Sequence, residues 1–479
     1  MFLHLRFVII LRMIEQKVII LFLGILFLVT GCSKDEGTYQ AIPMYEEGEE
    51  FSSGNLGVFS TSSNAFGFEI PGLTFQEQSQ FATGNSLFNQ SWVSAPASTT
   101  ARDGLGPTFN ARACASCHFK DGRGRPLVTG QNSGGFLMRV SLPNASEIEA
   151  PIAVPGYGTQ IQDRSNQTIL FEAKVEVSYQ TILGTYADGT MYELRKPRYT
   201  ITNEQFGSLS NVQTSPRIGQ QTIGLGLISA LPNSEILKFE DEFDSNNDGI
   251  SGRANYVLNE ETQQLEVGRY GWKANAPTLK QQIELAFHGD MGLTTSMFPE
   301  NDCPSPQLDC QNAPNGGEPE VTDTQLSRVL FYQSTLAVPN RRNVQEESVL
   351  RGKQLFNTMN CISCHAINQV TGISEILPAL ENVTIRPYSD FLLHDMGEDL
   401  ADNRPDFKAN GREWRTQPLW GLGLISTVNN HTFLLHDGRA RNIEEAILWH
   451  GGEAENSKDQ FINLSAEERQ QVLDFLNSL

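Results

Sequence analysis

The sequence predicts a mainly α fold, with two helical domains built around C-x-x-C-H motifs and a β-rich hairpin insertion in the first. Three observations predict it. A G-x-x-L-F stretch precedes each motif, as Gly84-Asn85-Ser86-Leu87-Phe88 and as Gly352-Lys353-Gln354-Leu355-Phe356. The C-terminus carries a capping box, Ser465 with Glu468, and then Val472, Phe475, Leu476 and Leu479 on one helical face. Between the two motifs, residues 131–275 show strand-like alternation, as in 169–177 and 180–186, with frequent turns.

The N-terminus comes first in order. Lys17 precedes an apolar run from Val18 to Val29, and Thr30-Gly31-Cys32 follows. A basic residue, a short apolar stretch and small residues read as a signal peptide over 1–31. The run is short for a membrane span. A Cys directly after the small residues resembles a lipobox. Cys32 is then the lipidation site of a membrane-anchored lipoprotein outside the cytoplasm, on the periplasmic side or the cell surface. The competing reading is an uncleaved anchor helix. Residues 32–75, rich in Ser, Gly and Asn, read as a linker.

Cys114-Ala115-Ser116-Cys117-His118 and Cys361-Ile362-Ser363-Cys364-His365 fit the c-type haem attachment signature. Two thiols three positions apart reach the two vinyl groups of one porphyrin, and the adjacent His lies under the iron. The prediction is two c-type haems. Cys114 and Cys117 hold one, with His118 as proximal ligand; Cys361 and Cys364 hold the other, with His365. A four-cysteine zinc site would not need a His after each pair. A thioredoxin-type dithiol would need a strand–helix setting.

The motifs divide the chain into an N-terminal haem domain, 76–340, with its insertion at about 131–275, and a C-terminal domain, 341–479. Both are expected to be cytochrome c-like. The second resembles a complete cytochrome c domain, in which the G-x-x-L-F helix packs on the terminal helix. The first is less regular, because the loop from Gln90 to Arg112 separates Phe88 from Cys114. Residues 276–340 look helical, with a helix ending between Tyr332 and Val338 before Pro339. Cys303 and Cys310 interrupt this stretch, and two thiols this close outside the cytoplasm usually pair.

Asp244, Asn246 and Asp248, with Gly249 and the carbonyl of Ile250, match the first half of a calcium loop. The twelfth position is Asn255, so the bidentate Glu is missing, and an Asx-rich turn is the competing reading. The net charge of −21 argues against nucleic acid as a partner and allows a basic redox protein. Nothing in the sequence sets the oligomeric state.

Several further stretches carry a resemblance. They are Asp103-Gly104-Leu105-Gly106-Pro107 with Phe109-Asn110, Asp121-Gly122-Arg123-Gly124, and Asp248-Gly249-Ile250-Ser251-Gly252-Arg253. Then come Leu393-His394-Asp395-Met396-Gly397, Trp420-Gly421-Leu422-Gly423, His436-Asp437-Gly438-Arg439 and Trp449-His450-Gly451-Gly452. From about residue 75 to 479 the chain resembles the di-haem oxidoreductase family, related to bacterial di-haem cytochrome c peroxidases and to MauG-type enzymes. The resemblance implies that one haem stores electrons while the other meets peroxide at an open iron. The small-molecule oxidant is peroxide, and the electrons come from a donor cytochrome.

The better-known peroxidases often place an axial Met just before the C-terminal His-Asp-Gly, where this chain has Leu435. Met396 is the first substitute for the second haem, though it could simply pack beside it. His394 and His436 are alternatives. Met291 and His288 are candidates at the first haem. His436 and His450 could instead bond propionates or backbone. Glu398 and Glu453 lie in family-like motifs and are open as acid–base groups. Two other functions stand beside the peroxidase reading: a non-catalytic electron-transfer cytochrome, and MauG-like oxidation of a protein partner.

Overall fold

Four long helices form two crossed pairs, and the sequence explains where each begins and where the pairs touch. Helix α1 (Phe75–Asn89) starts on a capping box of Thr74 and Glu77. Helix α2 is Leu279–Met291, capped by Thr278. Helix α3 (Asp323–Thr335) starts on Thr322 and Gln325, and α4 is Glu347–Thr358. After the short α5 (Ile443–Leu448) and α6 (Glu455–Asn463), α7 (Ala466–Ser478) starts on the Ser465–Glu468 box read in the sequence.

Helix α1 packs on α3, and α4 packs on α7. Each crossing falls on the repeat glycine. A Cβ on Gly84 would lie 2.2 Å from the carbonyl oxygen of Arg328, and one on Gly352 would lie 1.9 Å from that of Gln471. Only a residue without a side chain allows so close an approach. One turn on, Phe88 meets Tyr332 with ring centroids 5.4 Å apart, and Phe356 meets Phe475 at 5.2 Å. The first copy's partner helix is thus 323–335, which the sequence left unassigned.

This computed structural model describes residues 44–479, apart from 132–133, 144–145, 147–148 and 167. The expected signal peptide and Cys32 lie outside the described residues. Helix makes up 28% and strand 17%, which corrects the expectation of a mainly α fold. Strand pairs are not confined to the insertion. Short pairs also flank the haem motifs, at Thr108–Phe109 with Arg164–Ser165 and at Gln369–Val370 with Thr384–Ile385. The chain holds 41 Gly and 22 Pro, and this density of breakers keeps helices short and leaves long connecting loops.

Six longer strands form antiparallel pairs within the insertion. Strand β1 (Phe136–Ser141) pairs with β4 (Gln213–Ile218). Between them β2 (Lys174–Thr185) and β3 (Met191–Thr202) form one long hairpin. Strands β5 (Tyr256–Asn259) and β6 (Gln264–Val267) form another. Beyond the insertion, β7 (Leu393–Asp395) pairs with β8 (Glu413–Arg415). The tip of the long hairpin is fastened to the C-terminal helices: Tyr186 donates to Glu444 at 2.7 Å, and Arg469 of α7 covers the Tyr186 ring at 3.8 Å.

Residues 44–75, expected as linker, are packed. Phe66 and Ile70 are buried in the main core, and Ile70 N–H bonds to the Thr335 carbonyl. Arg341 and Lys353 both bind Glu49. Low periodicity hid these residues because they contribute single anchors, not a regular element.

Candidate haem centres

Cys114–Ser116 form a single 3-10 turn, closed by His118 N–H bonding to the Cys114 carbonyl at 2.9 Å. This turn puts both thiols and the imidazole on one side of the chain. His118 Nδ1 lies 2.5 Å from the Gln220 carbonyl oxygen. A carbonyl only accepts, so Nδ1 carries the hydrogen and Nε2 keeps its lone pair, as a metal ligand requires. Burial lowers the pKa of His118, which favours the neutral ring. Phe88 of α1 sits beside it, 6.3 Å between centroids.

A cleft opens at this motif, lined by Cys114, Cys117 and His118. One wall is a face of α2: Leu279, Gln282, Ile283, Ala286 and the terminal Asp290 and Met291. The last turn of α2 is sewn to the segment leading into Cys114, because Asp290 O accepts from Asn110 and Ala111 and Met291 O accepts from Gly106. Other walls carry Tyr270, Gln333, Arg415, Gln417 and Trp420. Arg415 Nη1 and Gln333 Nε2 are buried without a hydrogen-bond partner. A buried guanidinium nitrogen left open is costly unless an anionic group meets it. The propionates of a haem held by Cys114 and Cys117 fit that need.

The second motif repeats the first. Cys361–Ser363 make a 3-10 turn entered from Asn360 at φ +64°, and His365 N–H bonds to Cys361 at 3.0 Å. His365 Nδ1 donates to the Tyr388 carbonyl at 2.8 Å, and burial pushes its pKa down to about 4. Phe356 of α4 lies 6.1 Å away, as Phe88 does from His118. Burial pushes the Cys114 and Cys361 thiols up to about 12, so neither is a reactive thiolate. That argues against dithiol exchange.

The structure separates the other candidates. His394 is held between two carboxylates, Nε2 to Asp390 at 2.8 Å and Nδ1 to Glu453 at 2.7 Å. Both carboxylates favour an imidazolium, and its pKa is raised well above the usual value despite burial. No ring nitrogen is left for iron. Among the described residues, Cys364, Asp390 and His394 form the one group spaced to hold a metal ion. A doubly paired imidazolium makes it an ion-paired cluster instead. Glu453 is committed to His394 and Ser251, while Glu398 is exposed.

His436 stacks on Trp414 at 4.0 Å and donates from Nδ1 to Pro216 O at 2.9 Å. Its Nε2 faces Arg439 at 3.5 Å. Leu435 adopts φ +68°, and its carbonyl accepts from Arg123. Met396 is half-buried against the main core. Met291 lines the Cys114 cleft, whereas His288 stacks on Phe298.

Cys303 and Cys310 form a disulfide. In the expected calcium loop, Asp244 Oδ1 accepts from Asp248 and Gly249, and Asn246 bonds to Asp248. The Ile250 carbonyl follows, but Asn255 is buried and spent on Lys273 O and Asp406 O.

Asp290, Gln282, Tyr270 and Arg415 escaped the sequence reading, because long-range folding alone brings them to Cys114; Trp420 stood out only as part of the Trp420-Gly421-Leu422-Gly423 stretch. Trp420 also links the two centres. It lines the Cys114 cleft, and its indole N–H donates at 2.7 Å to Arg386 O, two residues before the carbonyl that orients His365.

Residues 47–479 match the family model described as "Di-haem oxidoreductase, putative peroxidase". Neither the curated proteins nor the solved structures contain a match. Two haem-attachment motifs, two matching proximal geometries and a family match over nearly the whole chain agree: this protein belongs to the di-haem oxidoreductase family.

Proposed function

We propose that the protein reduces hydrogen peroxide at the Cys114 centre, with electrons taken from a donor cytochrome at the Cys361 centre. The observation that carries this reading is the α2 wall of the Cys114 cleft. Met291 offers a thioether only at the end of that wall, while Leu279, Gln282, Ile283 and Ala286 along it offer no iron ligand, which supports room for a small molecule there. Haem, when bound, supplies the one-electron chemistry and the site of O–O cleavage. The chain's residues do the rest. His118 holds the proximal side through its bond to Gln220 O. The Gln282 amide can orient an oxygen atom. Apolar Ile283 and Ala286 limit water. Asp290, buried and with its pKa raised by burial, is a carboxyl that can keep a proton at the cleft. Trp420 offers an aromatic step toward His365.

The export reading belongs to the same proposal: c-type attachment outside the cytoplasm and a lipid anchor at Cys32. The test is steady-state peroxide consumption by the purified di-haem protein with a reduced cytochrome as donor. Turnover well above that of free haem is expected. If every donor fails and both irons refuse carbon monoxide, the protein is an electron carrier instead.

A further inference from the structure

We infer that His450 is the second axial ligand of the haem held by Cys361 and Cys364, which makes that iron a closed bis-histidine centre. The inference rests on the two-haem reading, not on peroxide turnover.

The first argument is a shared geometry. His118 and His365 each donate Nδ1–H to a backbone carbonyl and keep Nε2 free. His450 has the same disposition. Its Nδ1 donates to Ala446 O at 2.7 Å, one helical turn back, and its Nε2 makes no hydrogen bond among the described residues. Such a bond fixes the tautomer and raises the basicity of the other nitrogen, which is how a metal-binding imidazole is prepared.

The second argument is position. His450 follows α5 and opens the turn Gly451-Gly452-Glu453. Gly452 sits so tightly on β7 that a Cβ there would lie 2.3 Å from Asp395 O. Glu453 then reaches His394, whose Nδ1 is 3.6 Å from Cys364 Sγ. Three residues past His450, the chain is therefore tied to the sulfur next to His365. His450 is also close enough that a charge on it would oppose one on His365.

The third argument is exclusion. His394 has both nitrogens on carboxylates, His436 turns its Nε2 to Arg439 and stacks on Trp414, and Leu435 cannot ligate. Met396 is the competitor that remains.

The test is spectroscopic, on the oxidised holoprotein. Wild type should show a low-spin signal of bis-imidazole type and no sulfur-to-iron charge-transfer band. His450→Gly should convert one of the two haems to high spin, and added imidazole should restore it. His450→Met should introduce the sulfur band and raise the potential of one haem, as a His/Met pair does. Intact mass confirms two attached haems; if His450→Gly loses one, the His450→Met spectrum decides. An unchanged spectrum in both variants overturns the inference, as does a wild-type sulfur band that Met396→Leu removes. Because these spectra require no peroxide, absent turnover would count against the peroxidase reading alone.

Discussion

A Cβ on Gly352 would stand 1.9 Å from the carbonyl oxygen of Gln471, and this contact fixes how α4 lies on α7. Phe356, one turn further along α4, is thereby held against Phe475 and beside His365. Gly352→Ala should force the helices apart. The expected loss of stability is about 1–3 kcal/mol, the usual cost of overpacking, read as a lower denaturation midpoint. Gly84→Ala should do the same at the first centre.

Arg415 should raise the potential of the first haem, because its open, buried Nη1 places positive charge at the cleft. Arg415→Met removes that charge and favours the oxidised iron. A redox titration should show one of two midpoints fall by on the order of 59 mV, a tenfold change for one electron. Equal shifts of both midpoints would count against the placement.

Trp420 joins the wall of one centre to the backbone that orients the other. Trp420→Leu should leave both haem spectra unchanged and slow electron transfer between them at least tenfold, on the order of 1.4 kcal/mol in barrier. Stopped-flow mixing of the half-reduced protein with peroxide reads this directly.

Glu172 gives a pH signature. Burial raises its pKa to about 8, although it accepts from Gln162 N–H at 2.6 Å and from Gln307 at 2.7 Å. The folded state then holds a proton that the unfolded chain releases near pH 4.5. Its contribution to stability is complete below that value and is lost as pH rises toward about 8. The slope is at most about 1.4 kcal/mol per pH unit. Glu172→Gln should flatten this decline in a series of thermal melts between pH 5 and 8.

Local chemistry was legible in the sequence. The C-x-x-C-H spacing names its candidate ligands, the Ser465–Glu468 box marks a helix start, and Gly352 announces a crossing. The helix content was overestimated because the pattern at Gly84 and Gly352 says nothing of the loops between helices, where short strands such as Leu393–Asp395 form. The site walls were illegible for a different reason. Arg415 and Gln282 reach Cys114 only through tertiary folding, and no periodicity marks them. His394 reads as a ligand in the sequence, but Asp390 and Glu453 occupy both its nitrogens, and the second of those lies 59 residues away.

Carbon monoxide binding to the fully reduced protein tests the central claim most directly, that the Cys114 iron is open and the Cys361 iron closed. One equivalent should bind, and Ala286→Phe, which fills the cleft from the α2 wall, should abolish it. Two equivalents, none, or one equivalent indifferent to Ala286→Phe would contradict the account.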